Sequence, residues 1–556
     1  MIYDQLTPHR CAAALLLLAI SVALMVIGQR RNWRPSLVIA ICTAAVLRLA
    51  MLALAYRTQP YDLVNDFQAA GVAVLHHHDP ILSNRQNGWG SLPVYVFVLA
   101  GAAWTSLHLH VSWLIIARIP AILCDVGVVV LVGAVAGAAG ERAPLRRFQY
   151  ACNPLAILVS SVHGQLEPAC FLFVLAAFLI VLRAGPHVSG LPAVAAGILL
   201  GLAIATQTWP AVFGPALLLA LPSWRRRTQF AAAAAGIWAL LFATMPLTVG
   251  TPVAKLPYIA KQLVETHPSI GTWGWSGVWV TVHPTKLPVW QDPLWLNAGS
   301  TGTKAAIAGA LLAVWWWRRA HPLDVATATT TALVVITPSF GNQYLLWQAP
   351  SATARPTRLS IPLQIVLGAY AAIFYLPMQM LTWHNWEMVN DVMMFVSLGV
   401  IAFMIAALPW RRRQWHPLQP QHGAERASDA AAALTCRNMP PAVRGRGKSR
   451  LLEMIDQKLP ARRDGADDHS LKVVVPLDGP KSGRLQQPGR TPLGARLVTA
   501  AGDQGGHQPG REQISEHEPA AGCQDPAALR QAGPLVGPVI EGGRADHQVE
   551  GFPRKR

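Results

Sequence analysis

The sequence predicts an all-α, polytopic membrane protein that ends in a long polar tail. Of its 556 residues, 52% are hydrophobic and only 13% are charged. The mean hydropathy of +0.32 is too high for a soluble globular chain of this length. Apolar runs recur over residues 11–410 with short polar links between them. Because a helix needs about 20 apolar residues to cross a bilayer core of about 30 Å, this pattern is typical of transmembrane helices.

The first apolar run, residues 11–28, is predicted to be a transmembrane helix rather than a cleaved signal peptide. It lacks a basic leader and a small-x-small cleavage site, and another span follows at once. Most of the cysteines also lie inside apolar runs, where they are expected to be small packing residues rather than a disulfide framework.

The net charge of +18 is concentrated in arginine blocks beside the apolar runs, for example Arg146 with Arg147 and residues 225–227. Such blocks mark cytoplasmic loops, so the charge predicts orientation and excludes nucleic-acid binding. With every block inside and the N-terminus outside, about 11 to 13 crossings are expected, near residues 11–28, 36–55, 112–138, 148–161, 169–182, 190–206, 210–222, 229–249, 303–317, 325–338, 343–352, 359–377 and 392–409.

This orientation leaves the segment 92–107 on the outer side as a juxtamembrane or re-entrant helix, because a crossing there would place Arg146 and Arg147 outside. The extracytoplasmic surfaces are then residues 56–111, the turn at 163–168 and the loop 250–300. Two pairs of small residues, Gly133 with Gly137 and Gly197 with Gly201, predict close helix packing.

Residues 414–556 form a second region, rich in Gly, Pro, Arg, Gln, Asp and His, after the membrane domain of residues 1–413. This composition cannot bury a core, so the tail is expected to be disordered and cytoplasmic. An out-of-frame extension of a GC-rich gene is the alternative.

Carboxylates are scarce in the membrane domain, and Asp62, Asp66 and Asp79 lie together directly after the second apolar run. A carboxyl group at the lipid headgroup level is partly desolvated, which raises its pKa toward that of a useful base. The structural alternative is that these acids solvate the loop, with Asp66 as the N-cap of a helix that begins near Phe67. The adjacent residues 76–78 are all histidine, but three successive side chains point apart and rarely bind one metal ion.

Two arginines lie within apolar runs, where an unpaired charge is costly. Arg48 is expected to pair inside the bundle. Arg118 is expected near the outer interface, where it either pairs with Asp125 on the same helix or binds a lipid phosphate.

Several segments in fixed order resemble the GT-C class of polytopic glycosyltransferases, and most closely glycosyltransferase family 87. They are "VLRLAMLALAY", "NDFQAAGVAVLHHHDPI", "SLPVYVFVLAGAAW", "ARIPAILCDVGVVVLV", "NPLAILVSSVHGQLEP", "GLAIATQTWPAVFGPALLLAL" and "TPSFGNQYLLWQAP". The resemblance extends over roughly residues 36–410 and implies a GT-C-like helical bundle. The sequence departs from the family pattern at Glu167, where the family has aspartate, and around the DP turn, where His78 and Ile81 replace glycine and tyrosine.

The resemblance implies transfer of a sugar, with mannose favoured, from a polyprenyl-phosphate donor to a lipid or glycan acceptor on the outer face of a bacterial cell membrane. It implies no cofactor and no metal. Asp66 matches the family's first-loop aspartate and is the expected base, with Asp62 and Glu167 as possible second acids. One base without an obvious carboxylate nucleophile predicts inversion at the anomeric carbon, although Glu167 is an alternative nucleophile.

Further side chains are candidates for the donor and acceptor. Arg118, His163 and Lys255, in that order, are expected to bind the donor phosphate, since a phosphate leaving group needs cations more than a strong acid. Candidates for sugar or acceptor contacts are Gln165, Trp273, Trp275, Gln343, Tyr344 and Trp347, where the alternative for the tryptophans is an interfacial aromatic belt.

Two other functions remain open at this stage. A lipid-sugar transporter also carries charged groups in its spans, but the sequence shows no internal repeat. A non-catalytic scaffold that binds polyprenyl phosphate would not need Asp66.

Overall fold

The computed structural model describes residues 6–83, 89–185, 188–264, 271, 273–283 and 292–410. Within these ranges all regular secondary structure is helical, which confirms the predicted all-α class. The α-helices are α1 Pro8–Arg30, α2 Leu37–Ala55, α3 Gln68–Leu75, α4 Pro80–Ser83, α5 Val96–Leu109, α6 Trp113–Ile116, α7 Arg118–Ala138, α8 Ala143–Ala151, α9 Pro154–Leu158, α10 Glu167–Ala184, α11 Gly190–Thr206, α12 Gly214–Ala220, α13 Trp224–Ala243, α14 Met245–Thr248, α15 Leu256–Val264, α16 Gly274–Val282, α17 Pro293–Trp317, α18 Pro322–Ile336, α19 Ala349–Ala354, α20 Ser360–Tyr375 and α21 Trp383–Ala406.

Two other helix types complete the bundle. Segments Asp62–Phe67 and Val159–His163 are π-helical. Short 3₁₀-helices occupy Trp209–Phe213, Val253–Lys255, Asn342–Leu346 and Pro377–Met380.

Six helical segments of the described chain are long and apolar enough to cross a membrane, so the protein is a multi-pass membrane protein. They are Pro8–Arg30, Leu37–Ala55, Trp113–Ala138, Glu167–Ala184, Ser360–Met380 and His384–Ala406. Shorter apolar helical segments are Val96–Leu109, Pro154–His163, Gly190–Thr206, Trp209–Ala220 and Pro322–Ile336. The expected total of about 11 to 13 crossings depends on these shorter segments and stays a prediction, as does the non-crossing role of residues 92–107. The predicted tail lies outside the described residues.

The predicted crossing at 148–161 is broken into three pieces. Helix α8 ends at Ala151 and α9 begins at Pro154, because proline has no N–H with which to continue a helix. The Asn153 side chain accepts hydrogen bonds from the N–H groups of Leu155 (2.9 Å) and Ala156 (3.3 Å), so the break is capped inside the bundle.

The predicted close packing at glycines is confirmed. A Cβ atom added at Gly197 would lie 2.3 Å from the Phe230 carbonyl oxygen, and one at Gly201 would lie 2.6 Å from the Ala234 carbonyl oxygen. Helices α11 and α13 therefore pack backbone to backbone. At Gly133 and Gly137, α7 likewise packs on α8 through the side chains of Arg147 and Ala143.

A buried ion pair joins α2, α7 and α8. Arg48 Nε donates to Asp125 Oδ2 at 2.7 Å, and both side chains are fully buried. The Tyr150 hydroxyl donates to the other carboxylate oxygen at 3.0 Å. Arg48 therefore pairs inside the bundle as predicted, and the predicted pairing of Arg118 with Asp125 is wrong because Arg48 already holds this carboxylate.

Candidate active site

Asp62 and Asp66, in the loop that follows α2, lie on one π-helical turn. Segment Asp62–Phe67 continues directly into α3, so Asp66 lies inside a continuous helix and does not cap one; the N-cap interpretation is wrong. The Trp113 indole N–H donates to the Leu63 carbonyl at 2.9 Å and fixes this turn against α6. Single π turns within helices are frequent at functional sites.

The second π-helical turn, Val159–His163, approaches the first through Gly164. This glycine ends the turn with φ +76°, a conformation that residues with a Cβ adopt at a cost. A Cβ atom here would lie 2.8 Å from Arg118 Cγ and 3.4 Å from Leu63 Cδ1. Gly164 thus lets the "VHGQLE" segment lie directly against the first loop.

His163, Gln165, Asp62 and Tyr375 form one hydrogen-bond network between these turns. Gln165 Nε2 donates to Asp62 Oδ2 (2.5 Å) and contacts His163 Nε2 (2.8 Å). When His163 Nε2 accepts from Gln165, its Nδ1–H is left to donate to the Tyr375 hydroxyl at 2.9 Å. When the ring takes a second proton, Nε2 faces Asp62 Oδ2 as an ion pair at 3.5 Å.

The pKa values of the two aspartates move in opposite directions. Burial alone would raise the pKa of Asp62, but the hydrogen bond to His163, the charge of a protonated His163 and the bond from Gln165 outweigh it and lower the pKa to about 2. Burial and the neighbouring Asp62 charge raise the pKa of Asp66 to about 6. Asp66 Oδ1 is buried without a hydrogen-bond partner among the described residues. Asp66 is therefore the more basic carboxylate, and its Oδ1 can accept a hydrogen bond from a ligand.

Glu167 lies at the start of α10, two residues after Gln165. Its residue exposure is 1%, and neither carboxyl oxygen has a hydrogen-bond partner in the described part of the chain. The Trp347 indole interacts with this carboxyl group, although the pair does not reach hydrogen-bond geometry. A buried carboxyl group without partners is costly, so this position requires an explanation beyond packing.

Arg118, the first candidate for the donor phosphate, is fully buried. Its Nη1 donates to the carbonyls of Tyr56 (3.1 Å) and Leu114 (2.8 Å), and its Nη2 donates to the Thr58 carbonyl (2.7 Å) and hydroxyl (3.0 Å). The guanidinium is thus used to tie the end of α2 to α6. Only Nε lacks a hydrogen-bond partner among the described residues. These contacts favour a structural role, and the expected phosphate contact stays a prediction.

Asp79 shapes the loop, as predicted, and does not enter the network of His163. Its Oδ1 accepts from the N–H groups of Ile81 (2.7 Å) and Leu82 (3.2 Å), which caps α4. Its Oδ2 accepts from the Thr251 hydroxyl. Lys255 follows this contact on an exposed turn and is accessible to a ligand.

The three histidines at 76–78 form the turn after α3. His77 has φ +58°, and a Cβ atom at Gly250 would lie 2.2 Å from the His77 carbonyl oxygen, so this turn packs on the loop that carries Thr251. No group of three or more His, Cys, Asp or Glu side chains in the described ranges is arranged to hold a metal ion. Independence of a metal remains a prediction.

Trp273 and Trp275 are held by backbone groups of α18. Trp273 is fully buried, stacks on Phe340 with 4.0 Å between ring centroids, and donates its indole N–H to the Val334 carbonyl at 2.9 Å. It is a core residue, so both its sugar-stacking and its interfacial-belt interpretations are wrong. Trp275 is partly buried and donates to the Ile336 carbonyl at 2.7 Å.

Trp347 lies between two other rings. It stacks on Trp209 with 4.4 Å between centroids and a 6° interplanar angle, and it contacts Tyr344 at 4.4 Å. Burial, together with Glu167 and Asp62, raises the pKa of Tyr344 to about 12. Gln343 is half-buried on the same 3₁₀ turn. The structure therefore places Trp347 beside the Glu167 carboxyl group and Tyr344 against the Trp347 ring.

Tyr375 and Trp209 were not identified from the sequence. Tyr375 contacts His163, and Trp209 contacts Trp347, across a long distance in the chain. Both lie in apolar segments, where an aromatic side chain is ordinary. The only available signal was the position of Trp209 in the "QTWPAVF" segment of the family resemblance.

Comparison with known proteins supports a membrane glycosyltransferase. Residues 155–338 match the family model of glycosyltransferase family 87, which confirms the resemblance found in the sequence. The matched range contains His163, Gln165 and Glu167, whereas the first loop with Asp66 lies before it. The search of curated proteins found no match.

Proposed function

We propose that this membrane glycosyltransferase moves a hexose, with mannose favoured, from a polyprenyl-phosphate donor to a hydroxyl of a lipid or glycan acceptor on the extracytoplasmic face. The observation that supports this function best is the state of Asp66. A half-buried carboxylate with a free acceptor oxygen and a pKa of about 6 lies beside the segment that matches the family.

Asp66 acts as the general base. It takes the proton of the acceptor hydroxyl as that oxygen attacks the anomeric carbon. The bond from this carbon to the phosphate oxygen breaks, and polyprenyl phosphate leaves with the bonding electrons. A single displacement of this kind inverts the anomeric configuration. A base with a pKa near the working pH is well suited to this step, and such a base contributes about 10² to 10⁴ in rate.

Asp62 has a different role because it stays ionised. Its Oδ2 accepts from Gln165 and faces His163 Nε2, and these contacts fix its position. Its negative charge keeps the pKa of Asp66 high. Asp62 is therefore a positioning residue for the base.

The leaving phosphate needs a cation in place of the buried Arg118. Lys255 is the exposed candidate directly before α15. The neighbouring Leu256 packs against the same buried cluster as Val74 and Ile81, which follow the Asp62–Phe67 turn in the chain. Arg10 and Arg57 supply further positive charge at the end of α2, where both lie over the Tyr56 ring at 5.0 and 5.5 Å. Cations here stabilise the charge that develops on the phosphate.

The test is transfer of radiolabel from polyprenyl-phosphate-mannose into lipid by membranes that contain the wild type or Asp66→Asn. We expect incorporation with the wild type and a loss of at least 10²-fold in the variant, because the amide cannot accept the proton. Equal amounts of folded protein, checked by gel filtration in detergent, are the control.

Two outcomes would contradict the proposal in different ways. Normal turnover by Asp66→Asn would move the base to Glu167 or Asp62. No transfer by the wild type from mannosyl or arabinosyl donors would favour a transporter or a lipid-binding scaffold.

A further inference from the structure

Three buried polar groups around the start of α10 lack hydrogen-bond partners within the described residues. They are both carboxyl oxygens of Glu167, the indole N–H of Trp347 and the hydroxyl of Tyr95. Each of these residues is less than 9% exposed. Because a buried polar group without a hydrogen-bond partner destabilises the fold, three such groups in one region indicate a missing polar ligand.

These groups, termed here the Glu167 cluster, lie around the start of α10. Trp347 interacts directly with the Glu167 carboxyl group. Tyr95 belongs to the same group of buried hydrophobic residues as Leu166 and Ala169, which lie on either side of Glu167 along the chain. The cluster therefore combines two acceptor oxygens, one obligate donor and one hydroxyl that can do either.

Trp347 can offer a ligand only its edge. Trp209 and Tyr344 each lie 4.4 Å from the Trp347 ring, and two rings at this distance cannot share one face. Both faces are thus covered by protein, and the N–H edge remains. This geometry excludes stacking of a sugar on Trp347 but permits a hydrogen bond from its Nε1.

We infer that the Glu167 cluster binds hydroxyl groups of the donor hexose and so makes the enzyme recognise the sugar rather than the phosphate alone. The carboxylate can accept hydrogen bonds from two neighbouring hydroxyls, while Trp347 Nε1 and Tyr95 complete the contacts. This inference rests on the proposed function. It gives Glu167 a role distinct from that of Asp66, because Glu167 holds the sugar and no proton transfer is assigned to it.

The position of the cluster fits a donor bound next to the base. Gln165, two residues before Glu167, donates a hydrogen bond to Asp62. A hexose in contact with Glu167 would therefore lie beside the turn that carries Asp62 and Asp66.

Sugar recognition is measured as a ratio of two affinities. Full-length protein in lipid nanodiscs is titrated with radiolabelled polyprenyl-phosphate-mannose and with polyprenyl phosphate that lacks the sugar. The variants are Glu167→Gln, which preserves shape, and Trp347→Phe, which preserves the stacked ring but removes the N–H. Asp66→Asn is the matched control.

We expect the wild type to bind the mannosyl lipid at least 10-fold more tightly than the sugar-free lipid. Glu167→Gln should remove most of this preference, and Trp347→Phe should reduce it about 3- to 10-fold, because each loses a hydrogen bond to the sugar. The affinity for sugar-free polyprenyl phosphate should stay unchanged in both, and Asp66→Asn should keep the full preference.

The failures can be told apart. If the wild type binds both lipids equally, or if Glu167→Gln keeps the preference, the cluster does not recognise the sugar, while the proposed transferase function stands. If the wild type binds neither lipid, the proposed function fails and the inference fails with it. If Glu167→Gln loses affinity for both lipids and also unfolds at lower temperature, the residue is structural and the inference is overturned.

Discussion

At the scale of single residues, the proposed base is one of two carboxylates four positions apart on one π-helical turn. Asp62 is surrounded by donors and stays ionised, and Asp66 is partly desolvated without such donors. The negative charge on Asp62 opposes a second charge on Asp66 and so helps to raise the Asp66 pKa. Such a separation of pKa values assigns the base role to one member of a pair.

The first prediction concerns the pH dependence of the wild-type enzyme. The base acts only when deprotonated, so transfer should rise with pH and level off above the Asp66 pKa of about 6. Initial rates between pH 4.5 and 8 at saturating donor would show this rise, the acidic limb of the pH–rate profile. A rate that is flat across this range would remove Asp66 from the proton-transfer step.

The second prediction concerns Asp62→Asn. Burial remains in this variant but the neighbouring charge is lost, so the pKa of Asp66 should fall and the acidic limb should move to lower pH. The same series of rates measures this shift. Glu141→Gln is a suitable control, because Glu141 pairs with Arg146 at 3.1 Å away from the network and should leave the limb in place. An unmoved limb in Asp62→Asn would mean that the two carboxylates do not interact.

The third prediction concerns Arg118→Ala. This change leaves the carbonyls of Tyr56, Leu114 and Thr58 without their donor, and each buried unpaired acceptor costs about 1 to 3 kcal/mol. We expect a clearly lower unfolding temperature by tryptophan fluorescence in detergent, with an unchanged apparent donor KM in the remaining activity. A variant of normal stability with a 10-fold higher donor KM would return Arg118 to the phosphate.

The site residues found from the sequence share one property: each belongs to a short segment of unusual polarity. Asp62 and Asp66 are rare acids in an apolar chain, and Gln165 and Glu167 follow a glycine in a polar turn. The partners of the buried arginines could not be predicted from local polarity. Spacing on one helix favours Arg118 with Asp125, whereas the true partner, Arg48, comes from another helix 77 positions away.

At the scale of helices, contacts through glycine determine how closely the elements approach. The hydrophobic pattern predicts where helices lie but gives no distance between them, and it does not show that prolines divide an apolar run into short pieces such as α8 and α9. The small residues at 197 and 201 were informative because only backbone contact requires them.

The fourth prediction tests the contact between α11 and α13 with Gly201→Ala. The added methyl group would lie 2.1 Å from Ile237 Cγ2 and 2.6 Å from the Ala234 carbonyl, so the helices must separate. Overpacking of this kind costs about 1 to 3 kcal/mol and should lower the unfolding temperature. Gly236→Ala on α13 is the matched control, because no atom lies within 4 Å of its added Cβ. Because alanine has a higher helix propensity than glycine, this change should leave the stability unchanged or increase it. Equal effects of both changes would show that the two helices are not in backbone contact.

At the scale of the whole molecule, the described bundle is closed at its C-terminal end by specific contacts. The Trp317 indole N–H donates to the Pro409 carbonyl at 2.9 Å, and the Thr357 hydroxyl donates to the Ala407 carbonyl at 3.1 Å. These bonds tie the end of α21 to α17 and to the turn before α20. We therefore expect the residues that stabilise the helical bundle to lie before about residue 410.

The fifth prediction follows from this closure and from the composition of the tail. A chain truncated after residue 419 keeps both contacts and loses only the polar region, which cannot bury a core. Transfer activity per folded molecule should stay within about 2-fold of the full chain, and the unfolding temperature should not change. Truncation after residue 404 is the matched control, because it removes the Ala407 and Pro409 carbonyls that accept from the Thr357 hydroxyl and the Trp317 indole N–H. Each lost bond contributes about 0.5 to 1.5 kcal/mol, so this shorter chain should unfold at lower temperature. Loss of transfer by the longer chain at normal expression and stability would assign a function to the tail, and equal stability of both chains would show that these contacts do not hold the bundle closed.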